Sequence, residues 1–307
     1  MGISGIIFNY SLLFATILMA GALAGYLSER AGIVNIGIDG MMCFGAVFFA
    51  IFSSPVFKMS TYGPGMFIFP LLLTMIFTTI TGVMHAFVTI KLKANHIISG
   101  TAINLIGVAL ATFLNAPLGA ALYNSSRLAS GFSDFLYIGN SVYGSSIIMF
   151  ILIVIIAVVI YIVMQYTRVG LRFRAVGENP NAVDAQGINV NKYQWVGVIL
   201  SSALAGFAGA MFVFNVKQFG GNTQGLGYLA LGIMIAGAWK VEWIALVSIC
   251  FALFSALSYT SVLTNLGLPR AVAFAIPYII TIFVLLGFSK WVRPPAHDGI
   301  PFDKSKR

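Results

Sequence analysis

Ionisable and amide side chains are rare in this chain, and several of them interrupt long apolar stretches. Asn35 and Asp39 stand before one apolar run, and Asn104 lies inside another. Gln224 and Tyr228 lie at the start of a third. A charged group within a membrane-spanning segment costs free energy and is by default a candidate functional group. For Asp39, two interpretations stay open: a cap for the helix that follows it, or direct contact with a solute that crosses the membrane. Asn104 either bonds a neighbouring helix or faces a pore.

No set of side chains predicts catalysis. The sequence has no nucleophile with a neighbouring base, and its three histidines lack the spacing of metal ligands. Cys43 and Cys250 lie in apolar runs, where a small buried hydrophobe is the expected role. No G-x-x-x-x-G-K-[ST] phosphate-binding motif occurs, so the chain is not expected to hydrolyse ATP itself. We therefore expect a protein that is not an enzyme and that binds neither a metal nor a cofactor.

The elements that position these groups are predicted to be membrane-spanning helices. Of the 307 residues, 59% are hydrophobic and only 8% are charged, whereas soluble domains have about 25% charged residues. The apolar runs are continuous rather than alternating in polarity, which favours helices over barrel strands. We predict a single transmembrane domain, residues 1–307, with nine helices. They lie near 6–27, 33–53, 66–90, 97–114, 146–166, 193–216, 225–239, 243–263 and 271–288. Whether 33–53 and 225–239 cross fully is left open.

Lysine and arginine predict the orientation. If the N-terminus is outside and the spans alternate, all but four of the 17 basic residues fall inside, as the positive-inside rule requires. The four outside are Lys58, Arg127, Lys217 and Arg270. We therefore expect a multi-pass protein of the plasma or inner membrane with a cytoplasmic C-terminus. The outside connection 115–145 is either a solvated loop or a docking surface. The tail 289–307, with three prolines and a basic end, is expected to extend along anionic lipid headgroups.

Two short patterns predict an internal repeat. The pattern G-x-M-x-x-G-A occurs at 40–46 and at 232–238, and A-L-A-G followed by an aromatic occurs at 22–26 and at 203–207. In the predicted topology the two copies run in opposite directions. We therefore predict inverted repeats, with halves at about 6–114 and 193–288. In transporters with such repeats, discontinuous helices at the repeat interface form the substrate site.

The inside segment 167–192 predicts a short helix over 179–186. Asn179 suits the N-cap, Pro180 the first helical position and Gly187 the left-handed C-terminal cap. Glu178 lies beside the positive end of the helix dipole. Two turns are unstable alone in water, so the helix must pack either on its own bundle or on a partner.

Three stretches carry a resemblance to a known family. They are S-E-R-A-G-I-V-N-I-G-I-D-G-M-M at 28–42, K-A-N-H-I-I-S-G-T-A-I-N at 93–104, and the segment 174–190. The chain resembles the permease subunits of ATP-binding cassette (ABC) importers for nucleosides and simple sugars, within the wider ribose and branched-chain amino-acid permease group. The likeness runs from about residue 20 to the C-terminus. Two departures are Asp39, where the family often has Glu, and His96, where Gln is expected.

The resemblance implies an all-α membrane fold of the type II importer kind, and it implies partners. These are cytoplasmic ABC ATPase subunits that bind the ATP, a second homologous permease, and an extracytoplasmic substrate-binding lipoprotein, with lipid around the bundle and no nucleic acid. The 167–192 segment would hold the coupling helix that contacts the ATPase. Its expected coupling residues are Arg174, Gly177, Glu178, Asn179, Pro180, Ala182 and Gly187. The substrate path would include Asn35, Asp39, Asn104, Gln224 and Tyr228, with Phe219 as a further aromatic candidate. An ion-coupled secondary transporter of a small polar solute is the alternative.

Overall fold

The computed structural model of the protein describes residues 3–53, 68–123, 137–138, 142–216, 220–260, 262–288 and 292–304. Several residues named from the sequence lie outside the described residues, so their predicted placement stays a prediction. They are Lys58, Arg127, Lys217 and Phe219, together with most of the 115–145 connection.

The described chain is almost entirely helical, which confirms the all-α prediction. Within the described part, the departure is a two-stranded antiparallel hairpin in the connection before the fifth helix, where Tyr137 pairs with Tyr143. In chain order the elements are α1 (Ile3–Glu29), α2 (Ile38–Phe52), α3 (Ile68–Ala86, extended by a π-helical turn at Phe87–Lys91), α4 (His96–Tyr123), β1 (Tyr137–Ile138), β2 (Val142–Tyr143), α5 (Gly144–Tyr166), α6 (Arg168–Glu178), α7 (Pro180–Ala185), α8 (Val190–Val216), α9 (Leu226–Ala236), α10 (Val241–Tyr259), α11 (Val262–Asn265) and α12 (Arg270–Phe288).

Seven of the described helices are long and apolar enough to cross a membrane, whereas the sequence predicts nine spans. They are α1, α3 with its π-helical turn, α4, α5, α8, α10 and α12. The two others are the short apolar helices α2 and α9, with 15 and 11 residues. At 1.5 Å per residue, α9 covers about half of a hydrocarbon core of roughly 30 Å. Both short helices follow non-helical segments rich in glycine and polar residues, at 30–37 and, in its described part, 220–225.

Helices α1 and α8 form the centre of the bundle. About three quarters of the apolar stretch of each is buried, whereas α5 and α12 expose most of theirs. Glycines allow α8 to lie directly against α2. A Cβ atom on Gly45 would stand 2.6 Å from the Cα of Gly206, and one on Gly209 would stand 2.1 Å from the carbonyl oxygen of Met42. Small residues allow such close backbone approach between membrane helices.

The order of elements repeats, but the two sequence patterns do not occupy equivalent places. Helices α1 and α8 have the same length of 27 residues, and each leads through a non-helical segment to a short apolar helix. However, Gly40 lies in the first turn of α2, whereas Gly232 lies in the second half of α9. The glycines of both patterns take part in close helix contacts, and this packing explains them without an alignment of the halves.

Many of the described cations gather at one end of the bundle. The C-terminal residues of α1, the turn between α3 and α4, helices α6 and α7, and the segment 292–304 meet there, joined by ion pairs. We call it the basic end, defined by Arg30, Lys93, Arg168, Arg172 and Lys304.

Candidate functional site

The first non-helical segment, between α1 and α2, is held by a buried amide. Asn35 is fully buried, and its Oδ1 accepts from the backbone N–H of Gly37 over 3.1 Å. Its Nδ2 donates to Ser201 Oγ of α8 over 3.2 Å. Asn35 therefore fixes the turn before α2 and ties it to the central helix, with no face open to a solute in this conformation.

Asp39 caps a helix, but it is the helix of the other half. Its Oδ1 accepts from the backbone N–H of Gly227, over 2.9 Å, and from Thr223 Oγ1, over 3.0 Å. Gly227 lies in the first turn of α9, so the carboxylate caps α9 and not α2, to which Asp39 belongs. The approach is so close that a Cβ atom on Gly227 would stand 2.3 Å from the Cα of Asp39.

Asn104 of α4 supplies the cap that α2 needs. Its Oδ1 accepts from the backbone N–H of Gly40 over 2.7 Å, and its Nδ2 donates to the carbonyl of Ile36 over 2.9 Å. The same amide nitrogen donates to the hydroxyl of Tyr228 over 2.9 Å. Asn104 therefore makes interhelical bonds, and it joins α4 to the starts of both short helices.

Two of the predicted path residues have exposed side chains. Tyr228 is 48% exposed, and Gln224 is also exposed. Gln224 has a left-handed backbone, with φ +56, and its Oε1 accepts from the hydroxyl of Tyr259. Its carbonyl accepts from the hydroxyl of Tyr278 over 2.8 Å.

Gln224 contributes to the lining of a small cavity, and its other lining residues were not predicted from the sequence. Tyr259, Phe274, Tyr278 and Ser255 contribute to its lining. Its volume of about 90 Å³ is below the roughly 300–1,000 Å³ of small-molecule pockets. The chain has 26 phenylalanines and 12 tyrosines, so nothing in their local pattern marks these rings.

The segment 167–192 folds as two helices and confirms the predicted caps. Thr167 Oγ1 accepts from the N–H of Gly170, over 3.1 Å, at the start of α6, a helix that the sequence analysis missed. Asn179 ends α6, and its Oδ1 accepts from the N–H of Ala182 over 3.0 Å at the start of α7. Pro180 takes the first position of α7, and Gly187 has φ +75 after its end.

The predicted coupling residues divide into a packed set and an exposed set. Pro180 is buried against the chain, and a Cβ atom on Gly177 would stand 2.4 Å from the carbonyl oxygen of Arg30. Glu178 forms an ion pair with Arg30 over 3.5 Å, rather than serving the helix dipole alone. Arg174 donates to Gln165 of α5 over 3.1 Å. The exposed face of α7 consists of Asn181, Ala182 and Ala185, and the C-cap residue Gln186 continues it.

A hydrogen-bonded group at the basic end joins the two halves, and sequence reasoning missed it. Trp239 Nε1 donates to Glu29 Oε2 over 2.7 Å, and Arg30 Nη2 donates to the carbonyl of Trp239 over 2.8 Å. Glu29 and Arg30 are adjacent charges at the end of an apolar run, which is the sequence signal that could have indicated this contact.

Comparison with known proteins identifies the class. Residues 6–285 match the family described as branched-chain amino acid transport system / permease component. The chain belongs to this permease family. The permease is 35% identical to the nucleoside ABC transporter permease protein NupC of Lactococcus lactis, over 96% of each chain. It is 29% identical to the guanosine ABC transporter permease protein NupQ of Bacillus subtilis, over 99% of this chain and 98% of the relative. An uncharacterized protein of Mycoplasma pneumoniae is 38% identical over 96% of each chain. No solved structure matches.

These matches confirm the resemblance that the residues carried. The protein is a multi-pass ABC transporter permease and not an enzyme, because the family is one of transport. Family membership implies ATPase and other subunits as partners. Within the described residues, no group of three or more His, Cys, Asp or Glu side chains could hold a metal ion.

Proposed function

We propose that this permease is the membrane-spanning subunit of an ABC importer that brings nucleosides into the cytoplasm. The observation that carries the proposal is the similarity, over nearly the whole of each chain, to two permeases whose names specify a nucleoside and guanosine. A related simple sugar is the second cargo class to test. ATP is bound by separate ATPase subunits, and a substrate-binding lipoprotein delivers the cargo.

Helix α7 is the element that receives the motion of the ATPase in this proposal. Its buried face, Pro180 and Val183, rests on the permease, while its other face is exposed and uncharged, with Ala182 at its centre. A short capped helix that is fixed on one side can pass a displacement to the bundle. Arg174, Gly177 and Glu178 support it through α6, and Gly187 ends it with a turn that favours glycine.

The substrate path runs beside the starts of α2 and α9, on a surface that a second permease completes. Tyr228 and Gln224 have the exposed side chains that can contact cargo. Asn35, Asp39 and Asn104 do not contact cargo directly in this proposal. They hold the starts of α2 and α9, which position Tyr228 and Gln224. Alternating access then follows if the halves 6–114 and 193–288 of the single 1–307 domain rock against each other as inverted repeats.

The orientation in this proposal puts the N-terminus outside and the basic end in the cytoplasm. It is supported by the ion pairs and basic turns that gather at one end of the bundle. A cysteine introduced at the exposed Ile300 tests it. A membrane-impermeant maleimide should label that cysteine only after cells are permeabilised, and labelling of intact cells would reverse the orientation.

Reconstituted uptake tests cargo and energy source together. Proteoliposomes with the permease, its second permease, the ATPase and the lipoprotein should take up labelled guanosine when ATP is enclosed, and an uncoupler should leave the rate unchanged. Unlabelled nucleosides should compete, whereas ribose and free bases should not. Uptake that needs no ATP and disappears with the ion gradient would replace this proposal with secondary transport.

A further inference from the structure

Residues 292–304, which we call the C-terminal strap, cross the basic end and contact helices α6 and α7. The prolines and basic end of this tail predict a segment along lipid headgroups, but its described part packs on the protein instead. Three of its backbone N–H groups donate to neighbouring segments. They are Ala296 N to Glu178 Oε2 at 3.2 Å, His297 N to the carbonyl of Gly177 at 2.9 Å, and Gly299 N to the carbonyl of Gly32 at 3.3 Å.

The strap holds α7 by an apolar contact and an ion pair. Phe302 is 8% exposed and packs in a cluster with Val176 of α6, Val183 of α7 and Val190 of α8. Lys304 Nζ lies 2.7 Å from Asp184 Oδ1, and the side chain of Asp184 is only 5% exposed. Asp184 is the acidic residue of α7, so the strap neutralises the charge that this helix buries.

The other contacts of the strap fix it to the transmembrane bundle. Lys93, in the turn between α3 and α4, lies 2.7 Å from Asp303 Oδ1. Gly299 bonds the turn after α1 at Gly32, and its own φ of +78 suits glycine. The strap therefore has one set of contacts on α6 and α7 and another on the ends of α1 and α3.

Helix α7 needs this support. It has six residues, far fewer than the roughly 12–15 residues below which isolated helices are marginal in water. Asn179 and Gly187 cap it, but caps fix its ends and not its position on the bundle. Its buried residue Val183 contacts the strap residue Phe302, and its buried carboxylate contacts Lys304.

We propose that the C-terminal strap is a positioning element that clamps α7 to the ends of α1 and α3, so that a displacement of α7 moves the first half of the permease. Phe302, Asp303 and Lys304 are its positioning residues. The inference rests on the proposed coupling role of α7, and it adds a second mechanical connection to the covalent ones through α6 and α8.

The test uses the purified complete transporter and two strap variants. Phe302→Ala removes the apolar contact and Lys304→Glu reverses the ion pair. Hydrogen–deuterium exchange of the amides at 181–186 should be faster by roughly tenfold or more, because the lost packing of Phe302→Ala and the like charge that Lys304→Glu places beside Asp184 favour local opening. Cargo moved per ATP hydrolysed should fall in the same variants.

Matched controls lie in the strap itself. Ile300→Ala changes an apolar side chain that is 51% exposed, and Arg293→Glu reverses an exposed cation of the same segment. Both should leave exchange and coupling unchanged, and Lys304→Arg should retain both. A size-exclusion profile like that of the parent transporter establishes that Phe302→Ala and Lys304→Glu still assemble.

The outcomes separate this inference from the proposed function. Unchanged exchange at 181–186 in both variants would overturn the strap and leave the importer intact. Faster exchange with an unchanged ratio of cargo to ATP would also overturn it, because the strap would then serve folding alone. If a photo-crosslinker at Ala182 of the parent transporter never reached the ATPase, the coupling role itself would fail, and the strap's role in coupling with it.

Discussion

At the scale of single residues, Asp39 and Asn104 provide the acceptors that two helix ends need inside an apolar bundle. The first N–H groups of a helix have no partner within it, and in lipid each unpaired group costs several kcal/mol. Asp39 serves the start of α9 and Asn104 the start of α2. Each break in a helix is thus stabilised by a side chain from another helix, which fixes the two breaks beside each other.

Substitution of Asp39 separates capping from a direct part in transport. Asp39→Asn keeps an oxygen that can accept from Gly227 and Thr223, so stability and uptake should stay near those of the parent. Asp39→Ala leaves the backbone N–H of Gly227 without its acceptor and should cost about 1–3 kcal/mol, whereas Thr223 Oγ1 retains its contact with Cys43 Sγ. Thermal unfolding in detergent measures the difference. If Asp39→Asn unfolded normally but stopped uptake, the negative charge itself would be required in the path.

Asp298 of the strap predicts a pH dependence. Burial raises the pKa of the Asp298 carboxyl, which faces the carboxyl of Glu29, to about 7. The docked strap therefore binds a proton that a free strap, with an ordinary Asp pKa near 3.8, releases. The contribution of Asp298 to docking is complete below the ordinary pKa of 3.8 and is lost as pH rises towards the raised pKa of about 7.

Comparison with Asp298→Asn isolates this contribution. Burial lowers the pKa of His297, so protonation of His297 weakens docking as pH falls. This effect is opposite in sign to that of Asp298 and is present in both the parent and the variant. The measured quantity is the exchange rate of the strap amides, corrected for the intrinsic rate at each pH. The ratio of the parent rate to the Asp298→Asn rate should be lower at pH 5 than at pH 7.5. A parent-to-variant ratio that is the same at both pH values would remove Asp298 as the titrating group.

At the scale of elements, the caps of α7 set how well this helix is formed. Asn179→Ala removes its N-cap bond and should cost about 1 kcal/mol, whereas Asn179→Asp retains an acceptor and should cost little. Gly187→Ala meets no neighbour but forces a left-handed backbone, at about 1–2 kcal/mol. ATP-dependent uptake should follow the order parent, Asn179→Asp, Asn179→Ala. Equal uptake in the two Asn179 variants would mean that the cap does not limit coupling.

Local rules predict α7 from the sequence because each of its signals lies within a few residues. Asn179, Pro180 and Gly187 occupy the predicted positions. Long apolar runs likewise predict the spanning helices. The length of α2 and α9 is harder to read, because an apolar helix that ends midway has the composition of one that crosses. Helix α6 was not predicted because its 11 residues are too few for a membrane span and include three arginines and a glutamate, which are equally typical of a polar loop.

Contacts across the chain could not be read from residue types alone. The partner of Asp39 lies at Gly227, and that of Glu29 at Trp239. The position of Asp39 before an apolar run predicts a cap on its own helix, because a single sequence does not reveal which distant backbone N–H groups approach the carboxylate. The strap was missed for the same reason: its prolines and basic end indicate a polar tail, and the contact of Phe302 depends on three valines from three helices.

At the scale of the whole molecule, the outer helices differ in what they expose. Helix α5 exposes aliphatic side chains such as Ile151, Ile155 and Val159, which suits contact with lipid. The face of α4 near α9 exposes Leu105, which is 75% exposed, and Thr101. The exposed Tyr228 of α9 lies beside this face, because its hydroxyl accepts from Asn104 of α4. Polar groups are disfavoured against lipid tails, so we expect protein to cover the α4 face and lipid to cover α5.

Site-specific photo-crosslinking tests this division of the surface. A benzophenone side chain at Leu105 should form a covalent product with the second permease in the assembled transporter, because the α4 face is the proposed contact between the two permeases. The same group at Ile151, an exposed aliphatic position of α5, should react with lipid alone. Uptake by both variants controls for folding. If Ile151 crosslinked the second permease and Leu105 did not, the proposed path beside Tyr228 would be wrong, since the second permease would then cover α5 and not α4, the helix whose Asn104 bonds Tyr228.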